Sequence, residues 1–166
     1  VRSRITPRTK MIIINTPHNP SGAVLLEKDL KELEKIANES DLLVLSDEVY
    51  ERLIFDGIRH ESVLRYHGLA DRCLAVFSFG KTFHATGWKV GYVVAPAHLT
   101  EEVRKAHQFI VFSVNTPIQL ALAEYLQNPE HYLTLGKFYQ QKRDFFLTQI
   151  KGSSFEPMAC HGSYFQ

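Results

Sequence analysis

Lys81 follows a glycine at the end of a mostly apolar run, Cys73 to Phe79, that reads as a buried strand. The step Ser78-Phe79-Gly80-Lys81 puts an ammonium group at the carboxyl end of a buried element, where leaving it unpaired is costly. A desolvated lysine favours its neutral form, and a neutral amine attacks an aldehyde to give a Schiff base. Two other predicted strands end in polar clusters: Asn15 and then Asn19 after the first, Asp47 and Tyr50 after the second. Taken singly these are weak signals, because an Asp after a strand is most often a cap and a lone Lys is usually solvated. Together they carry more. In an open α/β sheet ligands bind outside the carboxyl ends of the strands, so amide, acid, phenol, hydroxyl and amine can converge there although far apart in sequence.

The elements that must position them follow from periodicity. Lys10 to Asn15 is a β-branched run and reads as the first strand, and Thr16 to Gly22 carries two prolines, an Asn, a Ser and a Gly, which is turn chemistry. Leu26, Leu30, Leu33 and Ile36-Ala37 recur at helical spacing, so Leu26 to Asn38 reads as an amphipathic helix covering a sheet. Leu42 to Leu45 is the second strand, Cys73 to Phe79 the third and Val90 to Ala95 the fourth, with a short helix near Val63 to His67. Strand, turn and helix in alternation predict a βαβ sheet with helices on its faces. After Pro96 the chain turns helical: Leu99 to Phe112, Pro117 to Gln127 and a long helix from Pro129 to Ile150, with proline suited to the first helical position.

Composition narrows the class. Hydrophobic residues at 45 % and charged residues at 22 % are ordinary globular values, and a net charge of +1 makes no case for nucleic acid or a membrane surface. Arg2, Arg4, Arg8 and Lys10 read as a solvated lead-in. Two cysteines, Cys73 and Cys160, do not make a disulfide framework, so a reduced, cytoplasmic protein is expected. The eight histidines form no HExxH or Cys/His ligand spacing, so no metal site is expected. No apolar run approaches a membrane span. The chain opens without Met and stops where a strand is starting, which predicts a piece of a longer protein.

If the aldehyde is pyridoxal phosphate, the other residues acquire roles. Its ring nitrogen needs a carboxylate, for which Asp47 is the candidate; its ring hydroxyl needs donors, Tyr50 and Asn19; its phosphate needs a hydroxyl and a cation, Ser78 and Lys89. Three blocks, Asn15-Thr16-Pro17-His18-Asn19-Pro20-Ser21-Gly22, Ser46-Asp47-Glu48-Val49-Tyr50 and Ser78-Phe79-Gly80-Lys81-Thr82-Phe83, resemble those of class I/II aminotransferases in order and spacing. Lysine at position 89, with His107-Gln108 and Phe112 to Pro117, is more similar to the branch of kynurenine aminotransferase, glutamine transaminase K and bacterial methionine aminotransferases.

The resemblance implies the three-layer α/β/α large domain of the fold-type-I enzymes, mostly parallel and incomplete. Residues 1–151 would be the central and C-terminal part of that pyridoxal-phosphate-binding domain, and 152–166 the start of a truncated small domain. It also implies that Lys81 forms the internal aldimine and is the catalytic residue. The implied activity is amino transfer from an aromatic, methionine or glutamine type of amino acid to a 2-oxo acid. The implied assembly is a homodimer in which Phe112 and Ser113 reach the partner subunit's substrate. Two rival readings are a cysteine S-conjugate β-lyase and a catalytically incompetent fragment that serves only packing or dimerisation; the isolated fragment is expected to be inactive. His18 reads as solvated or supporting, Trp88 as a core side chain, and Tyr164 receives no chemistry.

Overall fold

In the computed structural model, which describes residues 1–166, the apolar runs become strands of one sheet. β1 (Met11–Asn15), β2 (Leu43–Asp47) and β3 (Cys73–Ser78) are parallel neighbours, and β4 (Gly91–Val94) adds antiparallel to β3. Parallel strands need crossovers that carry the chain back to the starting end. Helix α1 (Glu27–Glu39) supplies the first, and the one-turn α2 (His67–Ala70) leads into β3. The rest of the chain forms α3 (Phe79–Thr82), α4 (Ala97–Ile110), α5 (Thr116–Tyr125), α6 (Glu130–Leu133) and α7 (Leu135–Ile150). The mixed, mostly parallel α/β sheet is the expected one.

Several boundaries differ for local reasons. α1 starts one residue late because Asp29 Oδ2 accepts the Leu26 N–H at 2.9 Å, half of a capping box. β3 stops at Ser78, and Phe79 already belongs to α3. The long helix expected from Pro129 is interrupted at Thr134, whose hydroxyl donates to the Glu130 carbonyl at 3.0 Å and competes for the acceptor a helical N–H would use. Pro117 is the second residue of α5, and Pro129 caps α6. Trp88, expected in the core, is 50 % exposed beside the Lys81 loop. Arg2 is no free lead-in charge, since it pairs with Glu32 and Glu39 of α1.

Register decides which side chains share a face. Ile12, Val44 and Cys73 align across the sheet, as do Ile14, Ser46 and Ala75. This face packs under Leu30, Leu33 and Ala37 of α1 together with Val63 and Leu69, forming the main core. Each such large aliphatic side chain contributes roughly 1.5–3 kcal/mol on burial. The other face carries Ile13, Leu45, Leu74, Val76 and Val93, and there Ile13 is 70 % exposed. Asn15 and Asp47 end this second face, side by side at its carboxyl edge.

A charged clamp ties α7 and the last residues to the loop after β2. Arg143 donates from both terminal nitrogens to Asp56 at 2.7 and 2.6 Å and to the Cys160 carbonyl at 2.7 Å, while His161 Nδ1 lies 3.1 Å from Asp56 Oδ2. The hydrogen bonds from Arg143 hold the Asp56 carboxyl down at about 2. A depressed carboxyl stabilises the fold above its unfolded value and loses that contribution as pH falls through the folded one. Asp56 is 36 % exposed, so solvent screening reduces the expected contribution to about 1 kcal/mol. Asp56→Asn, a residue tolerant of the φ of 61° here, is expected to lower stability by about that amount at pH 7. The difference should fade towards pH 2; urea unfolding at the two pH values measures it.

Candidate active site

The turn after β1 is held by Asn15. Its Oδ1 accepts the Asn19 backbone N–H at 2.8 Å, and its Nδ2 donates to the Asp47 carbonyl at 3.0 Å. One side chain thus closes the turn and straps it to β2. The Asn19 amide nitrogen then stands 3.5 Å from the Tyr50 hydroxyl. His18, exposed, pairs with Ser21 Oγ at 2.7 Å, a contact within the turn itself.

At the end of β2 two adjacent carboxylates take opposite roles because successive residues point to opposite faces. Glu48 is fully buried and accepts from Ser46 Oγ at 2.9 Å and the Val63 N–H at 3.0 Å, with His60 Nε2 at 2.7 Å. Its bonding capacity is committed to the fold. Asp47, half-buried on the other face, accepts only the Val49 N–H, at 3.2 Å on Oδ1, so its second oxygen is available. Tyr50 is buried, with its ring against Leu53 and Leu135.

Lys81 lies in the one-turn α3 directly after β3. It forms no ion pair, and its Nζ lies 5.8 Å from the centre of the Tyr50 ring. The preceding Gly80 is required sterically: an added Cβ would stand 2.9 Å from the Thr86 Cα, because the chain folds back there and Thr86 Oγ1 donates to the Gly80 carbonyl at 3.1 Å. Gly80→Ala is therefore expected to push the 85–86 turn away and cost about 1–3 kcal/mol, read by thermal unfolding. An unchanged melting temperature would show that the turn yields freely.

Asn19, Tyr50 and Lys81 are brought together, and Asp47 stands at the same sheet edge through its pairing with Asn15. Ser78 ends β3 opposite Gly91 and lines a separate cavity of about 100 Å³ with Val49, Phe79 and Tyr92. Lys89 is exposed, with a φ of 56°, one turn beyond Thr86. Phe112 and Ser113 lie on the exposed run after α4 and touch none of these groups within the chain.

Tyr164 also belongs to this cluster. Its hydroxyl donates to the Lys81 carbonyl, and its ring meets that of Tyr50 edge-on at 5.4 Å. Burial pushes the Tyr164 and Tyr139 hydroxyls upward, so both stay protonated. Nothing local at position 164 signals this, since the partner is 83 residues away. Glu48 did leave a trace: it continues the buried phase of Val44 and Ser46, and a buried charge demands partners.

The arrangement gives a free carboxylate oxygen, an amide–phenol pair and an unpaired amine at neighbouring strand ends. Residues 2–166 match the family described as aminotransferase class I and II. The chain is 50 % identical over 162 residues to the methionine aminotransferase of Escherichia coli, covering 97 % of this chain and 42 % of that protein. It is 38 % identical over 165 residues to the kynurenine–oxoglutarate transaminase of Dictyostelium discoideum, covering 96 % and 38 %. Among solved structures, an Escherichia coli protein with a methionine aminotransferase function superposes at a TM-score of 0.95 with 49 % identity, over 98 % of this chain and 43 % of that one. The N-succinyldiaminopimelate aminotransferase of Mycobacterium tuberculosis superposes at 0.94 with 36 % identity, over 98 % and 43 %. The chain thus spans about two fifths of the length of these relatives, and its sheet is part of the fold-type-I architecture they share. The chain belongs to the class I and II aminotransferases.

Proposed function

We propose that the chain is the lysine-bearing part of a pyridoxal-phosphate-dependent amino-acid transaminase. Residues 1–151 belong to the cofactor-binding domain in this reading, and 152–166 begin the small one. The observation that carries it is the contrast at the sheet edge: Glu48 is consumed by the fold, whereas Asp47 keeps an oxygen free and the Lys81 amine has no ion-pair partner. A pyridoxal ring calls for a carboxylate at its nitrogen, donors at its phenolic oxygen and an amine for its aldehyde. Asp47, the Tyr50–Asn19 pair and Lys81 fit those three needs.

When bound, the cofactor supplies an electron sink for bonds broken at a substrate's α-carbon. Lys81 Nζ would hold the cofactor's aldehyde and, when free, would act as the base that takes a proton and the acid that returns it. Asp47 would keep the ring nitrogen protonated, Tyr50 and Asn19 would orient the ring oxygen, and Ser78 and Lys89, on the segment that carries Lys81, would supply the phosphate's hydroxyl and cation. Amino acids of the methionine, aromatic or glutamine type are the proposed donors and a 2-oxo acid the acceptor. The relatives named for methionine and kynurenine transfer support that range. A homodimer is proposed as well, because Phe109, Ile110 and Phe112 form an exposed apolar run, with Phe112 and Ser113 reaching the partner's substrate.

The test is borohydride reduction of the full-length protein with pyridoxal phosphate, followed by peptide mapping, beside an assay with methionine, kynurenine and glutamine as donors. Label on Lys81 and acceptor-dependent keto-acid formation are expected. Label on another lysine sinks the site; keto acid formed from a cysteine S-conjugate without acceptor shifts the activity to β-elimination.

A further inference from the structure

A four-residue helix leaves its last carbonyls without helical partners, because no N–H lies four residues further along it. Lys81 is the third residue of α3, and its carbonyl receives the Tyr164 hydroxyl instead. The same tyrosine presses its ring edge-on against Tyr50 at an interplanar angle of 88°, and Tyr50 is the ring above which the Lys81 amine lies. On its other side Tyr164 meets Tyr139 of α7 at 4.8 Å. Tyr139 reaches back to the lysine loop, its hydroxyl 2.7 Å from His84 Nε2. His84 has a φ of 57°, a left-handed conformation that needs support in a residue other than glycine. The segment from Lys81 to His84 is therefore pinned at both ends by two tyrosines in contact with each other.

We propose that Tyr164 is the positioning residue for Lys81. It holds the main chain of the lysine and the ring of Tyr50 in one unit, so that the amine keeps a fixed approach to whatever lies beside Tyr50. A lysine side chain has four rotatable bonds, so the only rigid reference for its amine is the position of its own backbone. Tyr164 supplies that reference. Tyr139 and His84 close the ring of contacts from the far side. The inference rests on the Lys81 reading above, but the pinning it describes exists without cofactor.

The test uses the full-length protein with Tyr164→Phe, which keeps the ring and removes the hydroxyl. In the cofactor-free form, amide exchange in the peptide spanning residues 79–86 should quicken by about fivefold or more, with peptides of α1 and β2 unchanged. In the loaded form, kcat should fall by about fivefold to tenfold at unchanged KM, and the pH midpoint of the cofactor's visible absorbance should move. Tyr139→Phe, which removes the hydroxyl beside His84 and keeps the ring against Tyr164, should quicken exchange at residues 83–86 and leave the midpoint closer to wild type; it stands in if Tyr164→Phe does not fold, and unchanged exchange at 83–86 then overturns the pinning. Wild-type protein labelled at Lys81, with Tyr164→Phe unchanged in exchange and in midpoint, overturns this inference alone. Wild-type protein labelled on a different lysine overturns the Lys81 reading and this inference with it.

Discussion

Lys81→Ala in the full-length protein is expected to abolish covalent attachment of pyridoxal phosphate and to lower amino transfer by at least about 10²–10⁴-fold, the range for loss of a positioned acid–base group. The size of the effect follows from the double duty of one amine. In the proposed reading it would hold the aldehyde and would also be the base nearest to a released α-proton. No neighbour can replace it: Lys89 is exposed and in the proposed reading serves the phosphate, and the carboxylate beside Asp47 is buried and bonded three times. Stability should change little, because the Lys81 amine makes no ion pair and the chain's hold on this segment runs through backbone atoms and neighbouring residues. Visible absorbance and turnover measure the two losses separately. A variant that keeps the absorbance of a lysine-bound aldehyde would sink the assignment.

The largest stability effect is expected at the other carboxylate. Glu48→Ala strands Ser46 Oγ, the Val63 N–H and His60 Nε2, all of which point at a carboxylate with no exposed surface. Buried groups stripped of a charged partner cost about 3–5 kcal/mol. His60 Nδ1 is already buried without a hydrogen-bond partner, so the imidazole has no alternative contact to fall back on. Glu48→Gln, which keeps one acceptor oxygen for Ser46 and Val63, should lose roughly 1–2 kcal/mol. Urea unfolding at neutral pH distinguishes the two. Equal, small losses in both variants would mean that water substitutes for the carboxylate, against its complete burial. The contrast with Asp47 is also a functional statement, since one carboxylate holds the strand end so that the next can stay free.

Much of this site was legible along the chain because its cues are local. Proline, asparagine and glycine at positions 17 to 22 specify a turn whatever surrounds them, and β-branched or apolar runs specify strands through burial on a pleated surface. Polar residues at three strand ends could be collected into one site because a parallel sheet brings its carboxyl ends together. The Gly80 ahead of Lys81 was visible as a residue, but its reason, the Thr86 backbone against its α-carbon, was not.

Where sequence reading went astray, the decision lay in contacts that no propensity or periodicity describes. Trp88 is apolar and was expected inside, yet half of it stays exposed in this chain. The helix after Pro129 carries a continuous helical pattern, and one threonine hydroxyl redirects it. Tyr164 offers no periodicity or motif of its own; only the return of residues 160–166 to the lysine loop makes it a donor to Lys81. The identities of the chemical groups and the ends of the strands that carry them are properties of short stretches, set by propensity and burial. Which carboxylate is consumed, what packs on Tyr50 and what the Tyr164 hydroxyl reaches come from contacts between separated parts of the chain. No local preference encodes these, because their energy exists only once the chain has closed on itself.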